Sequence, residues 1–133
     1  MRSTREAIPL TLSEDVVIAR QAVRRRAIEL GFSLVDQTKV VTAASELARN
    51  TVQHGGGGIM TIDVVLEGPR SGLSLTFADN GPGIPDIERA MQDGYTTGGG
   101  LGLGLSGARR LSHNFSITST PGQGTTIVII RWK

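Results

Sequence analysis

Glu46 and Asn50, in "SELARNTVQHG", stand four residues apart, a spacing that stacks two side chains on one side of a helix. A carboxylate can take a proton, and an amide oxygen can serve Mg²⁺, which accepts few protein ligands. His54 lies one turn further along the same side, where capping the helix end is the simpler role. Asp79 is the second unusual group. In "GLSLTFADNGPG", Leu73, Leu75 and Phe77 share one strand face by alternation, and Asp79 has their parity. A carboxylate on the apolar side is costly unless hydrogen bonds satisfy it. Asp79 is therefore either a turn-former ahead of Asn80 and Gly81 or an acceptor awaiting a ligand's donor. The third feature is "GYTTGGGLGLGLSG", with seven glycines in residues 94–107. Such backbone freedom is costly to order, so the run is either a linker or a loop whose amides approach a bulky anion. It opens a helix at about Leu103 to Leu105, whose free N–H groups suit a phosphate.

The familiar phosphate loops do not match. "GLGLSG" has the glycine spacing of a dinucleotide fingerprint, but no strand precedes it and no acid follows Asp93 to hold a ribose. A P-loop needs a lysine after its last glycine, and the only lysines are Lys39 and Lys133. The same scarcity removes the ordinary protein-kinase arrangement. Nucleotide chemistry here must rest on backbone amides, a metal and arginine.

The elements that must position these groups can be read from pattern. "IPLTL" reads as a first strand. A helix follows, with Ser13 as N-cap, a stripe of Val16, Ala19, Val23, Ala27 and Leu30, and Gly31 as its stop. A second helix runs from about Val35 to His54, opened by Ser33 or Asp36, with Val40, Ala44, Leu47 and Ala48 beside the Glu46 side. Strands "IMTIDVVLE" and "GLSLTFAD" flank the turn "GPRSG". Short helices near "PDIERAMQ" and "LSGARRLSH" enclose the glycine run, and "FSITST" and "TTIVIIRWK" form a closing hairpin. Tight turns favour an antiparallel or mixed sheet, and helices on one face make a two-layer α/β sandwich. In the last strand Thr126 shares parity with Val128 and Ile130, and Thr125 with Arg131.

Composition bounds the function. The 133 residues suit a single domain, residues 1–133, with 38% apolar residues and no apolar run long enough to span a bilayer. The start "MRSTREAIPL" is not a secretory signal, and cysteine is absent, which fits the cytoplasm. A net charge of +2 argues for neither nucleic acid nor membrane as a partner. The last forty residues nonetheless carry Arg109, Arg110, Arg131 and Lys133 against no carboxylate.

Together "ELARN", "DNGPG", "GGGLGLGL" and "GQGTT" resemble, in order, the motifs of the Bergerat ATP-binding fold. Gyrase B, the heat-shock chaperone ATPases, histidine kinases and the MutL repair proteins share it as the GHKL superfamily. Within it the chain is similar to the RsbT-type switch serine/threonine kinases of the bacterial stressosome, through "ELARNTVQHG" and the stretch from "DNGPGIPDI" to "GGGLGLGLSGARRL". The resemblance implies an α+β fold with a mixed, mostly antiparallel sheet. It implies ATP and Mg²⁺ as cofactors, Glu46 as general base, and Asn50 as magnesium ligand. Asp79 would be the acceptor for the adenine amino group, with Gly81, Gly83 and Thr125 at the base. Gly98, Gly100, Gly102, Leu103 and Gly104 would lie around the phosphates. It implies phosphorylation of STAS-domain scaffold or antagonist proteins and activation of a PP2C-type phosphatase. The alternatives are an anti-sigma factor kinase and a nucleotide-gated binding module with little catalysis.

Overall fold

The structure is a computed structural model and describes residues 5–92 and 104–133. In chain order it contains β1 (Glu6–Leu10), α1 (Ser13–Glu29), α2 (Leu34–Gln53), β2 (Gly58–Glu67), β3 (Arg70–Asp79), α3 (Ile87–Ala90), α4 (Gly104–Arg110), β4 (Asn114–Thr120) and β5 (Gly124–Trp132). The first strand thus begins and ends two residues before the stretch that sequence suggests.

Ser13 is the first helical residue of α1, not its cap; the cap position is Leu12. The Asp15 carboxylate does the capping, accepting from the N–H groups of Thr11 and Leu12 at 2.8 Å each. These bonds hold the Asp15 pKa below its ordinary value. The other end of α1 closes at Gly31, whose φ of +85° suits glycine. There the Phe32 N–H reaches Ala27 O and the Gly31 N–H reaches Ile28 O, each at 3.0 Å. Ser33 caps α2 by accepting from the Asp36 N–H at 3.1 Å. Val16, Ala19, Val23 and Ala27 of α1 and Val40, Ala44, Leu47 and Ala48 of α2 are buried. Small residues on both stripes let the two helices pack together over the sheet.

The sheet order is β1-β2-β3-β5-β4, and every pairing is antiparallel, which sharpens the expected mixed sheet. The connection from β1 to β2 contains two helices and so returns the chain reversed. Strands β3 and β4 run the same way, but β5 lies between them and no parallel pair forms. The register builds helix-facing rungs across all five strands. One rung is Ile8, Met60, Phe77, Ile127 and Ile117; the next is Leu10, Gly58, Asp79, Thr125 and Ser119. The first is wholly apolar, and the second carries the polar groups of the candidate site.

At the other end of the sheet Arg131 faces inward and is buried. Its Nη2 donates to Asp36 Oδ1 at 2.6 Å and its Nη1 to Leu111 O at 2.9 Å, tying β5 to the start of α2 and the end of α4. The hydrogen bond from Arg131 is the main cause holding the Asp36 carboxyl below its usual range. Because that folded pKa lies below the unfolded value of about 3.9, the pair stabilises the fold fully above that pH. Its contribution is lost as pH falls through the folded value. Asp36→Asn is expected to cost about 2 kcal/mol at pH 7. In urea titrations the difference from wild type should shrink towards pH 3; a difference unchanged with pH would contradict this pairing.

Candidate active site

The second rung ends where three chain segments meet. Strand β3 finishes at Asp79, β5 begins at Gly124, and the loop from α2 to β2 passes through Gly55 to Gly58. Asp79 is half-buried on the helix-facing side, as its parity indicates. Its Oδ1 accepts from the Gly81 N–H at 2.9 Å and from the Thr125 N–H at 3.2 Å. The turn-forming role is therefore realised, but by one oxygen only. Oδ2 has no hydrogen-bond partner among the described residues and lies against Gly55, where a Cβ would come within 2.5 Å of it. One carboxylate thus anchors the turn and retains an acceptor.

Glycines make this convergence sterically possible. A Cβ at Gly58 would lie 2.0 Å from Ala78 O, one at Gly81 would lie 2.5 Å from Gly55 O, and one at Gly124 would lie 2.1 Å from Asp79 O. Gly124 also has φ +116°. Gly124→Ala combines strain with a backbone clash, so a loss of at least about 3 kcal/mol is expected in thermal or urea unfolding. A variant as stable as wild type would refute this reading of the crossing. Sequence pattern alone does not reach the part that Gly55 and Gly58 play in the site, whereas Gly124 lies within the motif "GQGTT". The available signal was "GGGG", where a single glycine would end a helix. Gly83 has φ +78°, and its Cβ would meet Thr120 O at 2.5 Å, so this residue packs the loop onto the β4–β5 turn.

Adjacent threonines of β5 take opposite faces of the sheet. Thr125 pairs with Asp79 across the strands and is buried, while Thr126 pairs with Ala78 and is exposed on the opposite face. Thr125 Oγ1 lies 2.8 Å from Ser119 Oγ, which accepts from the Ile84 N–H at 2.7 Å. Ser119, unremarked in the sequence, thereby joins the loop after β3 to the rung.

Glu46 and Asn50 lie on α2 at the margin of its buried stripe, both half-buried. Glu46 Oε1 accepts from Arg49 Nη1 at 3.2 Å in a partly exposed pair. The Asn50 side chain has no hydrogen-bond partner among the described residues, whereas its carbonyl accepts from the N–H groups of His54 and Gly55. His54 occupies the C-cap through its backbone N–H. Thr51 Oγ1 donates to Leu47 O at 2.9 Å, and its methyl packs at Gly58, fastening the helix end to β2. Gly104 opens α4, which packs on α2, and no atom of the described residues lies within 4 Å of the position a Cβ would take there. Gly98, Gly100, Gly102 and Leu103 lie outside the described residues.

These groups fit a nucleotide: an acceptor oxygen and a carboxamide that have no hydrogen-bond partner among the described residues, and a glycine at a helix start. Among the described residues no three His, Cys, Asp or Glu side chains cluster as a metal cage. A divalent cation held here through Asn50 would take the rest of its shell from phosphate and water, the habit of Mg²⁺. Among the described residues no helix is long and apolar enough to cross a membrane.

The chain is similar to several known proteins. Over 118 residues, 89% of each chain, the protein is 49% identical to the serine/threonine-protein kinase RsbT of Bacillus subtilis. It is 34% identical over 126 residues to the anti-sigma F factor of Clostridium acetobutylicum, covering 90% of this chain and 87% of that one. The mycobacterial sensor histidine kinase MprB shares its fold with a TM-score of 0.57 at 20% identity, over 96% of this chain and 97% of that one. The profile of histidine kinase-, DNA gyrase B- and HSP90-like ATPases matches residues 35–133. That span runs from the start of α2 to Lys133 and contains every residue of the rung's polar cluster, and the chain belongs to this ATPase family.

Proposed function

We propose that the protein is an ATP-dependent serine/threonine kinase of a cytoplasmic partner switch. Its substrate would be a serine or threonine of a STAS-domain scaffold or antagonist protein of the stressosome. Once released, it would bind and activate a PP2C-type phosphatase. The observation that carries the reading is the likeness to RsbT across nearly nine-tenths of both chains, joined to a half-free carboxylate at the end of β3.

Bound MgATP supplies the transferable phosphoryl group and a cation that offsets its charge. Asp79 Oδ2 would accept from the adenine amino group while Oδ1 keeps the Gly81 and Thr125 amides in place. Gly81, Gly83 and Thr125 would shape the wall at the base. The side-chain oxygen of Asn50 would hold Mg²⁺, and Gly98, Gly100, Gly102, Leu103 and Gly104 would wrap the phosphates. Glu46 would take the proton from the partner's hydroxyl at a carboxylate oxygen. Its pair with Arg49 is half-exposed and so weak enough to open for that purpose.

Incubation with labelled ATP, Mg²⁺ and a STAS-domain protein tests the proposal. The partner should become labelled, and Asn50→Ala should slow labelling by roughly 100-fold. No labelling by wild type would contradict the kinase reading. Undiminished phosphatase activation by Asn50→Ala would indicate a binding module that does not depend on magnesium. The likeness to the anti-sigma F factor favours one rival, direct capture of a sigma factor. Binding assays with sigma and with the phosphatase separate the two.

A further inference from the structure

Three strands turn from apolar to polar at one rung. On the helix-facing side Phe115 and Ile117 of β4 give way to Ser119, Ile129 and Ile127 of β5 to Thr125, and Leu75 and Phe77 of β3 to Asp79. Ser119 stands on the edge strand, two strands from Asp79 and roughly 10 Å away, too far to contact the same ligand atom. Its hydroxyl nevertheless closes a circuit around that carboxylate. Two amides hold Asp79 Oδ1: the Gly81 N–H from the loop after β3 and the Thr125 N–H from β5. Ser119 Oγ grips both of these segments. It accepts from the Ile84 N–H at 2.7 Å, in the same loop as Gly81, and lies 2.8 Å from Thr125 Oγ1. The Gly122 N–H donates to Pro82 O at 2.8 Å, so the loop is fixed to the β4–β5 hairpin at two points.

The Ile84 N–H fills one lone pair of Ser119 Oγ. The single Ser119 proton has two acceptors, Thr125 Oγ1 at 2.8 Å and Gly124 O at 3.3 Å. When it turns to Gly124, Thr125 donates to Ser119 and shows lone pairs. When it turns to Thr125, the Thr125 hydroxyl has a proton to give. The exchange costs only the 3.3 Å contact, which is long for a hydroxyl donor. Thr125 therefore suits a donor or an acceptor on a base and does not by itself choose between purines. That choice falls to Asp79, which as a carboxylate only accepts. Its Oδ2 matches the amino donor of adenine and opposes the carbonyl oxygen of guanine.

We propose that Ser119 is a positioning residue that sets the preference for adenine. By holding the Gly81 loop and Thr125 at once, it keeps both amides on Oδ1 and so keeps Oδ2 turned to the ligand. The proposal rests on the nucleotide reading above and adds to it a residue that acts through Asp79 without touching the base.

Titrations of the full chain with ATP and with GTP, each with Mg²⁺, test it. Ser119→Ala removes the acceptor for Ile84 and the partner of the Thr125 hydroxyl. It should weaken ATP at least about tenfold, the size of one net hydrogen bond. GTP makes no bond to Oδ2 and should be weakened much less. The preference for ATP over GTP therefore narrows, which a merely loosened fold would not produce. Ser119→Thr keeps the hydroxyl and should restore the preference. Ser119→Cys keeps the size, offers only a weak acceptor and should behave as the alanine variant does, so it decides the matter if alanine fails to fold. Equal losses for ATP and GTP, an unrestored threonine variant, or wild-type ATP affinity in the alanine and cysteine variants would each overturn the role of Ser119 and leave ATP binding standing. A wild-type protein that takes up no ATP overturns the nucleotide reading itself.

Discussion

Glu46→Gln should lower the rate of partner phosphorylation by about 10²–10⁴-fold while leaving ATP affinity near wild type. Glutamine keeps the size of the side chain and can still face Arg49, but it cannot take a proton. The helix is unaffected, since Glu46 contributes only a half-exposed pair to stability. Single-turnover measurements with saturating MgATP isolate the chemical step. A rate close to wild type would remove Glu46 from the role of base. A parallel loss of ATP affinity would instead make it a binding residue.

The second large effect is expected at Asp79. Asp79→Asn should weaken ATP by about 100-fold, the loss of one charge-assisted hydrogen bond and its replacement by an opposed pair of donors. Asparagine retains a carbonyl oxygen for the Gly81 and Thr125 amides, so the turn should persist and melting should change little. Asp79→Ala removes that anchor as well, and both affinity and stability should fall. The contrast between the two variants separates the ligand's oxygen from the structural one. Calorimetric titration with ATP and thermal unfolding read the two quantities independently. An Asp79→Asn protein that binds ATP like wild type would refute the division of labour.

Much of this frame is visible in the sequence because the elements are amphipathic in simple ways. The stripes of α1 and α2 repeat at helical spacing, and Leu73, Leu75 and Phe77 declare which side of β3 Asp79 must share. Strand β5 is harder. Isoleucine and valine occupy both of its faces, and an arginine belongs to the inner one. Arg131 is tolerable inside because Asp36 meets it from 95 residues away, a pairing no local pattern announces. Thr125 could not be told from Thr126 for the same reason. Gly55, Gly58 and Gly124 are required where distant segments cross, and a crossing exists only after the sheet has formed. Ser119 belongs to the same class: its partners Ile84 and Thr125 come from different sides of the chain. The start of α1 differs by one residue from the pattern, because the Asp15 carboxylate rather than the Ser13 hydroxyl caps it.

The central claim is that a nucleotide's base docks on Asp79 Oδ2. A crystal structure of the protein with Mg²⁺ and a non-hydrolysable ATP analogue tests it most directly. The adenine amino nitrogen should lie at hydrogen-bond distance, about 2.7–3.2 Å, from Asp79 Oδ2, with the Gly81 and Thr125 amides still on Oδ1. An adenine seated elsewhere, or Oδ2 facing only water beside a bound nucleotide, would contradict the account.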